Sequence, residues 1–336
     1  MAAYVIRRIL LMVPTMLGIT LLLFVVMRLA PGDPATLASG AVGAGADGAT
    51  MQSQENVDDA ISKFREKYHL DKPMLVQYGY WIASVARLDF GFEFFRPNVA
   101  VRDELWRRLQ VTVPLSLISV ILSYLIALPI GIIAAVKRGT ITDKVSTLFV
   151  FLLYSLPNFW AGLMLILVFG KTGLGWFPVL GLHDKDAATF TTMQYILDLI
   201  WHAVLPITVL TYGGLAYLSR QMRGGMLEVI RQDYIRTARA KGLAEKVVVM
   251  KHALRNSLIP VVTLFAGILP ILIGGSVIVE TIFTIPGMGL YAFEGLLQRD
   301  YNVVMATVTA SAFMTLIGFL ISDITYALVD PRIAYD

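Results

Sequence analysis

Cysteine is absent from the 336 residues, which excludes disulfides, thiolate metal sites and cysteine nucleophiles. Charge is scarce: 15% of residues are Asp, Glu, Lys or Arg, against about one quarter in soluble domains. The four histidines, His69, His183, His202 and His252, are scattered, with no pair at a metal-ligand spacing. No Ser/His/Asp set and no carboxylate pair stands out. An intramembrane hydrolase, which needs a nucleophile with a base or two facing acids, therefore finds no support. What is abundant is apolar surface, with 57% hydrophobic residues and a mean hydropathy of +0.69.

A helix crossing a bilayer core needs roughly 20 apolar residues. Six stretches qualify: Ile9–Met27, Val111–Val136, Val145–Phe169, Leu199–Leu218, Leu258–Ile282 and Val303–Val329. They predict an all-α integral membrane protein with about six transmembrane helices. Pro14, Pro114, Pro129, Pro157, Pro206 and Pro270 lie inside them; membrane helices tolerate proline where neighbours satisfy the freed carbonyls. Arg7 and Arg8 precede the first stretch as in a signal peptide. Its apolar run is too long for one, and Arg28-Leu29-Ala30-Pro31 offers no small-residue cleavage site. A retained helix is expected.

Net charge is +4 and the pI about 9.2, so the placement of the charge decides between nucleic acid and membrane. With the N-terminus inside, segments 1–8, 137–144, 219–257 and 330–336 hold 15 basic residues, while the short outer loops hold only Lys171, Lys185 and Arg299. The remaining ten are Arg28 and those of the long 31–110 loop, and long loops translocate largely regardless of charge. Both termini are thus expected in the cytoplasm, with no nucleic-acid partner. The chain divides into an N-terminal helix (1–30), an outer loop region (31–110) and a five-helix core (111–336).

The outer region starts with an Ala/Gly-rich connection at 35–50. Beyond residue 55 it mixes charge with Phe64, Tyr68, Tyr78, Tyr80, Trp81, Phe90, Phe92 and Trp106, a pattern of small helices packed on the outer surface. Gly43, Gly45 and Gly48 match G-x-G-x-x-G, but that fingerprint needs a strand before it and a helix after it. Gly170-Lys171-Thr172 resembles the end of a P-loop whose first glycine would fall at Leu165. No nucleotide site is expected in this chain.

The informative segment is the inner loop 219–257, with nine basic residues against Glu228, Asp233 and Glu245. Met226, Ile230, Tyr234 and Ala238 recur every four residues, one apolar stripe of a helix. Gly242 interrupts it as a cap or tight turn would, and Leu243, Val247, Leu254 and Leu258 resume an apolar face. With Thr237, Ala238 and Ala240 before the turn, the surface there is shallow. Two readings stand on physics: amphipathic helices resting on anionic headgroups, or a small tip inserted into a partner's groove.

Thr237-Ala238-Arg239-Ala240-Lys241-Gly242-Leu243, followed by His252-Ala253-Leu254-Arg255-Asn256-Ser257-Leu258-Ile259-Pro260, resembles the EAA loop of ABC importer permeases. The spacing from Gly242 to Pro260, and Arg236 in the place of the motif's glutamate, resemble the peptide/nickel (dipeptide/oligopeptide) branch. Pro31-Gly32-Asp33-Pro34, Glu280-Thr281-Ile282-Phe283, Pro286-Gly287-Met288-Gly289 and Asp330-Pro331-Arg332 extend the resemblance along nearly the whole chain. Residues 31–110 are its least family-like part.

The resemblance implies a type I ABC importer permease fold in the bacterial inner membrane. It implies half of a translocation pathway for peptides, with a second homologous permease subunit completing a heterodimer. One or two ATPase subunits would carry ATP and Mg, leaving this chain no cofactor and no catalysis, and a periplasmic or lipid-anchored solute-binding protein would deliver the solute. Thr237, Ala238, Ala240, Lys241, Gly242, Leu243 and Glu245 are the expected ATPase-coupling contacts. Asp323 is read as the one carboxylate clearly inside a span, either paired or on the pathway; Thr263 and Ser276 are further candidates for its lining. A stand-alone secondary transporter or channel is the alternative. It would call for several intramembrane charges and paired interrupted helices.

Overall fold

The computed structural model describes residues 2–29, 35–36, 54–258, 261, 264 and 267–329, and these are predominantly helical, with no strand among them. In chain order the helices are α1 (Ala2–Leu29), α2 (Gln54–Lys67), α3 (Met74–Val85), α4 (Val101–Val136), α5 (Ile141–Ser155), α6 (Asn158–Phe169), α7 (Thr192–Val229) and α8 (Asp233–Ala240). Next comes α9, which runs through Glu245–Val247, a π-helical turn Val248–Ala253 and Leu254–Ser257. The series ends with α10 (Ile268–Gly274), α11 (Val277–Ile282), α12 (Met288–Gln298) and α13 (Tyr301–Val329).

Among the described residues four helices, α1, α4, α7 and α13, are long and apolar enough to cross a membrane alone. The expected span Val145–Phe169 is instead α5 and α6, bent by 95°. Pro157 explains the break. The residue before a proline is driven out of the helical region, and Leu156 is extended at φ −81°, ψ 121° while Pro157 caps α6. The stretch Leu258–Ile282 includes residues outside those described, and its described part holds only the short helices α10 and α11, separated at Gly275. Pro114 and Pro129 inside α4 and Pro206 inside α7 leave those helices continuous. Large apolar side chains such as Leu10, Leu22, Leu125, Phe149 and Phe151 are exposed. This inverts the soluble pattern and suits a hydrocarbon solvent.

The chain forms two compact units. Val111–Leu290 is the body of the first; Ile6–Gln110 and Tyr291–Phe313 form the second. In the first, Leu115 and Ala127 of α4, Ala161 of α6, Leu205, Val209, Tyr212 and Leu215 of α7, and Val279 and Phe283 build one core. Helix α7 starts on a capping box, in which Thr191 Oγ1 accepts from Gln194 N–H and the Gln194 side chain accepts from Thr191 N–H at 2.9 Å. Gly131 lets α4 lie against α7: a Cβ there would fall 2.6 Å from the Ser219 carbonyl oxygen. In the second unit Phe24, Phe94, Tyr301, Val304 and Met305 gather Phe64, Tyr68, Tyr78 and Trp81 around them. Phe64, Tyr68, Tyr78 and Trp81 thus pack on the core, whereas Tyr80 and Trp106 are 51% and 65% exposed.

Candidate functional site

The loop after α7 folds as a helical hairpin. Helix α7 stops at Val229 and Gln232 is extended (φ −70°, ψ 150°), so α8 begins afresh at Asp233. The expected stripe through Met226, Ile230, Tyr234 and Ala238 is therefore not one helix face: Tyr234 is exposed, and Ile235 is buried in its stead. Ile235 and Ala238, three apart on α8, pack with Met222, Met226, Val248, Val249, Ala253 and Val261. On α9 the expected face also shifts. Leu243 and Val247 are each 40% exposed, while Val248, Val249 and Ala253 are buried. The π turn holds more residues per turn than an α-helix, which breaks the spacing of four.

Between the helices the chain reverses at Gly242. Lys241 N–H donates to the Thr237 carbonyl at 3.0 Å and Gly242 N–H to the Arg239 carbonyl at 2.9 Å, ending α8. Gly242 sits at φ +76°, the left-handed cap conformation that a Cβ penalises. Arg239 then reaches across the turn. Its Nε and Nη2 donate to the two Glu245 carboxylate oxygens at 3.1 and 2.7 Å. This fork holds the Glu245 carboxyl below its ordinary range. Thr237, Ala240, Lys241, Gly242, Leu243 and Glu245 are exposed around the turn. Ala238 alone of the expected contacts is buried, so its methyl supports the tip from beneath.

Two further constellations brace the first unit. Arg223 of α7 donates from Nε and Nη2 to both oxygens of Asp143 on α5, at 3.0 Å each, and Gly139 N–H adds a third bond at 3.0 Å. In the second, the buried Glu280 of α11 accepts from Leu290 N–H at 2.8 Å, Thr112 Oγ1 at 3.1 Å and Ser276 N–H at 3.3 Å. Met288 N–H donates to the same Thr112 oxygen at 2.8 Å. A Cβ on Gly287 would lie 2.5 Å from both Glu280 Oε2 and Thr112 Oγ1. The Pro286-Gly287-Met288-Gly289 run thus wraps a carboxylate that only a bare backbone can approach. Glu280 joins Asp323 as a carboxylate within an apolar stretch, which corrects the expectation of a single one. Asp323 is half-buried on α13. Ser276 caps α11, accepting from Val279 N–H at 3.4 Å, and Thr263 lies outside the described residues.

The model of the family described as binding-protein-dependent transport system inner membrane component matches residues 127–335. The chain belongs to that family. This permease is 44% identical to the oligopeptide transport system permease protein AppB of Bacillus subtilis (strain 168), covering 100% of each chain. It is 36% identical to the dipeptide transport system permease protein DppB of the same bacterium, over 99% of this chain and 98% of that one. Among solved structures it is similar to the MetNI methionine ABC transporter in inward-facing conformations. That match has a TM-score of 0.52 and 21% identity and covers 67% of this chain and 96% of the other. The fold is that of a type I ABC importer permease. The protein is a multi-pass inner-membrane transport subunit, not an enzyme, and it works with an ATPase and a solute-binding partner.

In the second unit the permease buries a polar cluster. Both oxygens of Glu93 accept: Arg96 donates from Nε to one and from Nη2 to the other at 2.8 Å, where the Tyr291 hydroxyl also donates at 2.9 Å. Burial, then the Glu93 contact, pushes the Tyr291 hydroxyl far up. Asp300 accepts from Phe94 N–H at 2.6 Å and caps α13 through Val303 N–H at 3.2 Å. Burial raises its carboxyl to about 6. None of Glu93, Tyr291, Glu280, Asp143 or Arg223 was singled out for a role from sequence. Each has a partner 80 to 198 residues away, Asp143 with Arg223, Glu280 with Thr112 and Glu93 with Tyr291, beyond any local pattern.

Proposed function

We propose that this permease forms half of a translocation pathway for peptides, paired with a second homologous permease subunit, and that an ATPase subunit docks on the turn at Gly242. The observation carrying this reading is the exposed, left-handed turn, clasped by Arg239 and Glu245 and standing on a buried Ala238. A rigid, shallow knob of this kind suits a groove in a partner. The names of the relatives, which carry oligopeptides and dipeptides, support peptide as the solute class. ATP and Mg belong to the ATPase subunits. ATP-driven closure of those subunits would press the two coupling turns together and open the path outward, and hydrolysis would reset it.

The short-loop bias of 15 basic residues to three supports cytoplasmic termini, a cytoplasmic 219–257 and an outer 31–110. Ser276, whose hydroxyl proton is free of its capping role, Asp323 and Thr263 are proposed to face the path. The experiment is uptake into vesicles holding the reconstituted complex, with labelled di- and oligopeptides and ATP inside. ATP-dependent peptide accumulation supports the reading. ATP-dependent uptake of a metal ion or sugar, with peptides inert, overturns the solute class. Uptake without any ATPase subunit overturns the coupling.

A further inference from the structure

Between α4, α5 and α7 the first unit has an open slot of ≈ 630 Å³. Its walls are apolar: Ile130 and Ala134 from α4, Leu148, Val150 and Phe151 from α5, Ala216 from α7. Its polar lining is strongly biased in sign. Asp143 and Arg223 neutralise one another through their two 3.0 Å bonds. Lys144 and Arg220 also line the cavity, and both are exposed. Two positive charges thus stand beside an apolar slot. Lys144 and Arg220 belong to the expected inner segments 137–144 and 219–257, where a bacterial membrane presents anionic headgroups.

We propose that this slot is a binding site for an anionic phospholipid, with its phosphodiester held by Lys144 and Arg220 and an acyl chain laid along Ala134, Leu148 and Phe151. The sign of the charge selects the headgroup, since a zwitterionic lipid would bring a cation against two cations. The apolar wall selects an amphiphile over a free ion. Basic pockets between membrane helices on the cytoplasmic side are a general setting for anionic headgroups. The Asp143–Arg223 pair ties α5 to α7 at the slot, so an occupied slot would steady α7, the helix that leads into the coupling hairpin, against α5.

The placement rests on the proposed topology, and the test separates the two. The complete permease complex is purified from nanodiscs containing phosphatidylglycerol or phosphatidylcholine, and retained lipid is counted by native mass spectrometry. Wild type is expected to keep phosphatidylglycerol and shed phosphatidylcholine. Lys144→Gln with Arg220→Gln is expected to lower phosphatidylglycerol retention by roughly 30-fold, from about 1 kcal/mol per basic residue. Phe151→Ser, which removes an exposed part of the apolar wall with both charges intact, is expected to lower it as well. Equal retention in wild type and both variants, or equal retention of the two lipids, overturns the proposal. Displacement of the lipid by inorganic phosphate would leave an ion site only and also overturn it. So would a cysteine at Leu148 cross-linking to the sister permease across the slot, since the occupant would then be protein. Nanodiscs carry the same lipid in both leaflets, so a reversed topology leaves these outcomes unchanged and shows instead in cysteine labelling.

Discussion

Arg239 and Glu245 close the Gly242 turn with two hydrogen bonds, of 3.1 and 2.7 Å, across six residues of chain. Both side chains are substantially exposed, 39% and 53%, so the pair is screened and a coupling of about 0.2–1 kcal/mol is the ordinary range. Its value lies in shape: the fork fixes where Lys241 to Leu243 project. Glu245→Gln is therefore expected to leave thermal stability of the purified complex within experimental scatter while weakening ATPase co-purification several-fold. With the Glu245 carboxyl held below its unfolded value, the clasp is fully present above the ordinary carboxylate range. It is lost as pH falls through the depressed value. Docking by wild type should weaken on acidification. If Glu245→Gln docks as well as wild type at neutral pH, the clasp is ornamental.

Gly242 carries a sharper expectation. At φ +76° an L side chain costs roughly 1–2 kcal/mol, and no atom lies within 4 Å of the Cβ position, so the cost is conformational and not a clash. Gly242→Val should insert into the membrane and assemble with its sister subunit, yet lose ATPase docking or ATP-coupled uptake. Lys246→Gln, a surface charge removed from the same loop, should be mild. A loop that merely rests on anionic headgroups would give the reverse ranking. Pull-down of the ATPase from solubilised membranes, beside vesicle uptake, distinguishes the two.

Glu280 anchors the crossing from α11 to α12. Glu280→Ala strands the N–H groups of Leu290 and Ser276 and the Thr112 hydroxyl in a buried site. Each unsatisfied group costs about 1–3 kcal/mol, so a large drop in melting temperature and in membrane yield is expected. Glu280→Gln keeps one acceptor oxygen and should fall between the two. Gly287→Ala should resemble Glu280→Ala, because its methyl would sit on the carboxylate. A Glu280→Ala complex melting within a degree or two of wild type, on the order of the scatter for surface changes, would remove the anchor role.

How far these features can be read from sequence follows from their range. Runs of apolar residues are local, so the all-α membrane architecture and the hairpin at Gly242 are visible in the chain itself. Pro157 marks a break, but hydropathy carries no angle, and one expected span is instead α5 and α6 at 95°. A spacing of four presumes a continuous α-helix, so it misplaces the buried face where α7 ends before α8 and again across the π turn of α9. The Glu280 cradle joins residues 168 apart to a glycine run that reads as a loop. Composition indicates small helices in the outer region but not their partners: Phe64, Tyr68, Tyr78 and Trp81 pack around Phe94 and Tyr301, and Tyr301 lies distant in the chain.

Asp300 offers a titration outside the membrane spans. Its carboxyl is raised by burial to about 6 from an ordinary 3.8, and the bonds from Phe94 and Val303 N–H only partly oppose that. A raised acid means that the folded chain binds the proton more tightly than the unfolded one. This group's contribution to stability is then fully present below the unfolded value and is lost as pH rises through about 6. The amplitude is on the order of 3 kcal/mol. Other carboxylates, Glu245 among them, titrate with the opposite sign at lower pH, so the signal is a difference between two proteins. Asp300→Asn keeps an acceptor for the α13 cap and cannot ionise. Relative to wild type it should gain stability as pH is raised from about 4 to about 6 and level off above that. Thermal unfolding of the purified wild-type and Asp300→Asn complexes across that range is the measurement. Parallel pH profiles for the two would mean that Asp300 is ionised throughout, with its backbone donors outweighing its burial.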